Sequence, residues 1–238
     1  MNVLVTGSSS GIGETIAETL VHAGYRVVLM ARRAEKLTAL ADKLNEKRPG
    51  HAQAAPGDVG VWADCESAVD VGLKAFGRLD ALVNSAGTWA EAPFVEVQPD
   101  ALQSFIQTDV TGAAQISRAI LPKLQKSDGG RILHINGLQG AIRQRPPVLY
   151  ATVEAAVLGL CESLRWEAAP LGVHVSLITL GSVANAEPAI PEPSALLRAG
   201  RRYRLSRQEV ADAVLFMLSQ PAGVNVDEMI LTPLGQEF

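Results

Sequence analysis

Residues 1–13 read MNVLVTGSSSGIG, and this stretch decides the fold. Asn2 to Val5 is a short apolar run with two valines, the pattern of a buried strand. Thr6-Gly7 breaks that run, and Ile12, Ile16, Ala17 and Leu20 then recur at helical spacing. A strand, a tight glycine turn and a helix in that order make a phosphate cradle. Gly7 allows the sharp turn, Gly11 lets backbone approach a ligand, and Gly13 lets the helix pack close to the strand. The helix start adds unpaired N–H groups and a partial positive charge. The stretch therefore predicts dinucleotide binding, with Thr6, Ser9, Ser10 and Ile12 in the same cradle.

Downstream, apolar strands alternate with helical patterns. That alternation predicts an α/β fold, a parallel sheet with helices on both faces. Strands are expected at Val27–Ala31, His51–Ala55, Leu79–Val83, Arg131–Ile135, Val173–Leu180 and Met229–Thr232. Helices are expected at about Ala34–Lys47, Trp62–Phe76, Pro99–Leu124 and Leu149–Ala168. Ser206 with Glu209 reads as a capping box for a last helix reaching Leu218.

Composition narrows the function classes. The 238 residues suit one domain, and 47% hydrophobic content is enough for a sizeable core. A net charge of −4 gives no basic footprint for nucleic acid. Charges, Gly or Pro interrupt every apolar run short of membrane-spanning length. A strand starting at residue 2 leaves no room for a signal peptide, so a cytoplasmic protein is expected. Cys65 and Cys161 lack metal spacing and read as reduced core thiols, so no metal site is expected.

Taken together, TGSSSGIG at 6–13, Asp58-Val59, Asn84-Ser85-Ala86-Gly87 and Tyr150 in YATVEAA resemble the short-chain dehydrogenase/reductase family. The tail VNVDEMILTPLGQ at 224–236 is similar to the end of many NADP-linked members. The resemblance covers nearly the whole chain. It implies one doubly wound Rossmann domain over residues 1–238, with seven parallel strands and NAD(P) across their carboxyl edge. It also implies that Asp58 meets the adenine amino group and Val59 packs on the ring. Asn84, Ala86 and Gly87 would line the adenosine ribose and the path toward nicotinamide, with Gly181, Val183 and Asn185 on the far side. An acidic residue after the second strand would hold ribose hydroxyls, but Ala31, Arg32 and Arg33 stand there. Guanidinium groups suit a 2′-phosphate, so NADP(H) is favoured over NAD(H). The alternative is that both arginines are solvated residues at a helix start. The family pairs the 99–124 and 149–168 helices across a two-fold axis, which implies a homodimer or homotetramer.

The catalytic positions depart from the family. Members usually carry Asn, Ser, Tyr and Lys, the last two as YxxxK. Here Tyr150 is kept, Glu154 stands for the Lys, Gly137 for the Ser with Asn136 beside it, and Asp109 for the Asn. The family Lys lowers the Tyr pKa. At ~5 Å and an effective dielectric of ~20, a unit charge contributes roughly 3 kcal/mol, so an ionised Glu154 raises that pKa instead. Asp109, Glu154, Tyr150 and Asn136 remain the catalytic candidates. His134, inside the fifth strand, reads as a core or supporting histidine.

Between about 182 and 205 the chain is expected to form a substrate lid, with Arg198, Arg201, Arg202 and Arg204 joining Arg143 and Arg145 as a basic face. That face either attracts an anionic small-molecule substrate or is simply solvated. Three readings stay open. One is an NADP(H)-dependent reductase of a carbonyl or imine-like small molecule. Another is a non-redox cyclase, isomerase or dehydratase on the same scaffold. The third is a catalytically silent dinucleotide-binding partner.

Overall fold

The computed structural model describes residues 1–88, 93–124, 129–138, 147–184 and 204–234. Seven parallel strands run in the order β3-β2-β1-β4-β5-β6-β7. They are β1 (Asn2–Thr6), β2 (Arg26–Ala31), β3 (Ala52–Pro56), β4 (Ala81–Asn84), β5 (Gly130–Gly137), β6 (Val173–Leu180) and β7 (Glu228–Leu231). The helices are α1 (Gly11–His22), α2 (Ala34–Lys47), α3 (Trp62–Phe76), α4 (Pro99–Ile106), α5 (Gly112–Ile120), α6 (Val148–Ala168) and α7 (Arg207–Leu218). This is the doubly wound Rossmann arrangement expected above. After β3 the chain returns to pair β4 with β1, and the reversal opens a crevice at the carboxyl ends of β1 and β4.

Helices cover both faces, so the inner strands are apolar on both sides. Val3, Val5, Val27 and Leu29 pack with Ile16, Leu20, Leu37 and Val214 of α1, α2 and α7. On the other face Leu4, Val28, Leu82 and Ile132 pack with Val69, Ile116 and Val157 of α3, α5 and α6. Cys65 and Cys161 are free and buried within that second layer. Ser206 accepts from the Glu209 N–H at 3.1 Å, and Glu209 accepts from the Ser206 N–H at 2.6 Å, the capping box expected for α7.

Three expectations need correction. The helix expected over Pro99–Leu124 is broken: a π turn at Gln107–Thr111 separates α4 from α5, and a 3₁₀ turn at Leu121–Lys123 follows. The reason is local packing. A Cβ on Gly112 would lie 2.6 Å from Val59 Cγ2, and Gln107 reaches back to the Gly60 carbonyl. The fourth strand begins at Ala81 rather than Leu79, which makes only a bridge to Leu124. Pairing of β5 with β6 continues to Gly137↔Leu180, two residues beyond the expected end. Asn136 and Gly137 therefore sit on the strand.

A polar chain crosses the buried interior beneath the crevice. The Thr6 hydroxyl donates to Asn84 Oδ1 (2.6 Å), and Asn84 Nδ2 lies 3.2 Å from His134 Nδ1. His134 Nε2 lies 3.0 Å from Ser117 Oγ, whose own proton goes to the Ala113 carbonyl. Ser117 must therefore accept from His134, which fixes the neutral tautomer protonated on Nε2. Burial pushes the His134 pKa down to about 4. Its role is to brace Asn84 from below, and it does not reach the cleft.

Candidate active site

The crevice is a cleft of about 990 Å³ running from Arg33 to Glu154. At one end the β1–α1 turn is built by Gly7 (φ +66°) and Gly11 (φ +65°), a left-handed backbone suited to glycine. A Cβ on Gly7 would meet the Ser85 carbonyl at 2.6 Å, whereas Gly11 faces open space. Gly13 lets α1 press on the turn, since a Cβ there would lie 2.6 Å from the Gly7 carbonyl. Ser10 caps α1 without a side-chain hydrogen bond to the helix. Instead the Arg33 guanidinium donates to Ser9 Oγ (2.8 and 3.1 Å) and Ser10 Oγ (2.5 Å). Arg32 lies 3.9 Å from the Asp58 carboxylate, which also accepts the Gly60 N–H at 2.9 Å.

Of the residues singled out in the sequence, Gly7, Ser9, Ser10, Ile12, Gly13, Arg32, Arg33, Asp58, Val59, Asn84, Ala86, Gly87, Gly181 and Val183 line this one cleft with the catalytic candidates. Thr6 does not line it. It is wholly buried, and its hydroxyl accepts the Ser85 and Ala86 N–H groups at 3.1 and 3.0 Å, shaping the loop from behind. Asn185, Arg143, Arg145 and residues 185–203 of the expected lid lie outside the described residues. The residues flanking that segment are paired: Ala184 N–H donates to the Leu205 carbonyl, and Leu205 N–H to that of Ser182. Arg204 lines the cleft beside them.

The far end holds Asp109, Asn136, Gly137, Tyr150 and Glu154. Glu154 is 7% exposed and turns its carboxylate toward β5, accepting the Gly137 N–H at 2.5 Å. It also accepts the Tyr150 hydroxyl. Asn136 donates to the Glu154 backbone carbonyl at 3.1 Å, locking this turn of α6 onto the strand. A Cβ on Gly137 would run into the Tyr150 hydroxyl and come 2.8 Å from Glu154 Oε1. Gly137 is what gives the Tyr150–Glu154 pair its space. Gly137→Ala is expected to displace Tyr150 and cost about 1–3 kcal/mol by urea unfolding; an unchanged midpoint contradicts the packing.

Asp109, carried by the π turn, accepts the Thr88 N–H (3.0 Å) and hydroxyl (2.6 Å). It ties the loop after β4 to the α4–α5 turn. Thr88 escaped sequence reasoning, because nothing in its neighbourhood signals that Asp109 folds back on it.

Burial dominates the electrostatics here. It pushes the Glu154 carboxyl up to about 7, partly opposed by the Gly137 and Tyr150 hydrogen bonds. Burial, and then the Glu154 charge and its hydrogen bond, drive the Tyr150 phenol far above its ordinary range. Asp109 is also raised by burial, against its bonds from Thr88. Glu154 thus carries the proton exchangeable near neutrality, and Tyr150 stays a neutral phenol.

Linkage gives this a stability signature. The raised Glu154 pKa means the folded chain binds the extra proton between about 4.5 and 7, so its contribution grows as pH falls. The depressed His134 pKa acts oppositely: its contribution is intact above 6.5 and lost as pH falls toward 4. The two slopes largely cancel in the parent. Glu154→Gln unmasks the histidine, so between pH 7 and 4.5 it is expected to lose about 2–3 kcal/mol more than the parent in urea titrations. Equal pH dependence in the two proteins contradicts the Glu154 assignment, and a Glu154→Gln variant whose stability does not fall between pH 6.5 and 4.5 contradicts that of His134.

Residues 1–189 match the family model for short chain dehydrogenases. The chain belongs to the short-chain dehydrogenase family. An uncharacterized oxidoreductase of Staphylococcus aureus is 32% identical over 97% of this chain and 96% of its own. An alcohol dehydrogenase of Thermococcus sibiricus, solved with 5-hydroxy-NADP, superposes with a TM-score of 0.86 at 26% identity, covering 99% of this chain and 97% of that one. A short chain dehydrogenase of Burkholderia cenocepacia, solved with NADP, gives 0.84 at 26% identity over 97% and 95%. The family binds nicotinamide dinucleotides, and this short-chain dehydrogenase keeps parts that fit one: a turn with two left-handed glycines and a helix start, Ser10, Ile12 and Gly13, that lines the cleft. Among the described residues no three His, Cys, Asp or Glu groups gather to hold a metal, and no helix is long and apolar enough to cross a membrane.

Proposed function

We propose that this short-chain dehydrogenase binds NADP(H) and reduces a carbonyl or imine-like small molecule, with Tyr150 and Glu154 as a coupled proton donor. The observation that carries the chemistry is the Glu154 carboxyl set between the Gly137 N–H and the Tyr150 hydroxyl. The observation that favours NADP(H) is Arg33 gathered with Ser9 and Ser10, three groups able to donate to a 2′-phosphate. Arg32 stands beside them, on the carboxylate of Asp58.

Bound reduced cofactor supplies a hydride to the substrate carbon. The residues of this chain supply the proton. Below about pH 7 Glu154 is protonated and can donate to the Tyr150 oxygen, which turns the Tyr150 O–H toward the substrate oxygen or nitrogen. As negative charge develops on that atom, the Tyr150 proton passes to it and the Glu154 proton replaces it on the phenol. Tyr150 is neutral before and after, and Glu154 is left as a carboxylate for solvent to reprotonate. Two carboxyl groups and no cation among the catalytic candidates favour a neutral carbonyl or imine, which needs both hydride and proton, over an anionic substrate.

Loss of NADPH absorbance with a panel of ketones, aldehydes and cyclic imines tests this reading. Turnover that disappears in Tyr150→Phe supports it. NADPH binding without turnover moves the reading to non-redox chemistry or a silent subunit.

The family's two-fold pairing joins the proposal as a homodimer or homotetramer through the α4–α5 and α6 faces. Leu102 on α4 is 36% exposed and Trp166 on α6 is 83% exposed, apolar surface that a second copy would cover.

A further inference from the structure

The amino-terminal edge of the sheet, opposite the cleft, contains a second cavity of about 440 Å³. It sits where β1, β2 and β5 begin and α7 ends, and Arg26, Arg78, Arg131 and Asp80 line it. Three guanidinium groups and one carboxylate leave the lining side chains at +2.

Each arginine is oriented by its neighbours, and only one is neutralised. Asp80 is committed: Oδ1 accepts Arg78 Nε at 2.6 Å, and Oδ2 accepts the Asn2 N–H at 2.7 Å. Arg26 donates to Asn2 Oδ1 at 2.9 Å and lies 5.1 Å above the Phe76 ring, contacts that hold its plane and leave its charge. Arg131 is 5% exposed, and its partners are carbonyls: Gln220 at 2.6 Å, Pro221 at 3.1 Å and Val224 at 3.4 Å. A buried guanidinium without a counter-charge is unfavourable by itself. One buried and one half-buried guanidinium, neither paired with a carboxylate among the described residues, line this cavity and are matched by an anion that accepts planar, bidentate bonds.

We propose that this cavity binds a phosphate-type oxyanion, a phosphoryl or pyrophosphoryl group, at a site separate from the cleft. Arg26 and Arg131 supply the charge, and Asp80 holds Arg78 and the start of β1 in place. The site is independent of whatever reaction the cleft performs.

Calorimetric titration with inorganic pyrophosphate, at ionic strength held constant with sodium chloride, tests it. With excess NADPH present to occupy the cleft, the parent is expected to show a binding event that Arg26→Gln and Arg131→Lys each weaken about tenfold. Arg26→Gln is the variant least exposed to misfolding, because Arg26 is only half-buried at the first residue of β2. The proposal is overturned if pyrophosphate gives no event beyond the chloride control. It is equally overturned if the event seen in excess NADPH keeps its affinity in Arg26→Gln and Arg131→Lys.

Discussion

Tyr150→Phe reduces turnover about 10²–10⁴-fold while NADPH still binds, the expected loss when a positioned proton donor is removed. The pH profile separates this mechanism from the family's usual one. With a lysine beside it, the tyrosine acts through a lowered pKa. In the proposed relay Glu154, pushed up to about 7, holds the mobile proton and Tyr150 passes it on. Reduction is therefore fast below pH 7 and falls tenfold per pH unit above it, as Glu154 loses its proton. Glu154→Gln keeps an acceptor for the Gly137 N–H but has no proton to pass, so its rate is low and the break near 7 disappears. A profile that rises through pH 7, or one unchanged in Glu154→Gln, contradicts the relay.

Arg33→Ala carries the second large effect. Its guanidinium makes three hydrogen bonds to Ser9 and Ser10 at the mouth of the cradle. Charge-assisted bonds of this kind contribute about 1.5–3 kcal/mol, so NADPH affinity is expected to fall about 10–100-fold. NADH, without the 2′-phosphate, should change less than about threefold. Fluorescence titration of both cofactors reads the difference. Equal losses for the two would assign Arg33 to the frame of the loop and remove the preference for NADP(H).

Much of the fold was legible because its signals are local and periodic. Strands buried on both faces read as continuous apolar runs, and α2 and α3 end where their patterns end. The glycines of the β1–α1 turn have one physical use each, and the close contacts a Cβ would make at Gly7 and Gly13 match theirs. The site was legible only as a set of residue types. Periodicity carries through Gln107–Thr111, so it gave no sign of the π turn that swings Asp109 onto Thr88. Charge alone did not show that Glu154 points at the Gly137 N–H, because that contact depends on β5 running two residues longer than its apolar pattern. Nor did it distinguish a solvated Arg33 from one folded onto two serines nearly a full βα unit earlier. These contacts join residues far apart in the chain, and composition is silent about them.

The most direct test is the titration of Glu154 itself. Difference infrared spectra of the parent minus Glu154→Gln isolate its carboxyl stretch, with no substrate or turnover required. The protonated band is expected to persist on raising the pH through 5 and 6 and to disappear around 7. A carboxyl that has already ionised near pH 4.5 contradicts the account, because Tyr150 would then sit beside a permanent anion with no proton to relay.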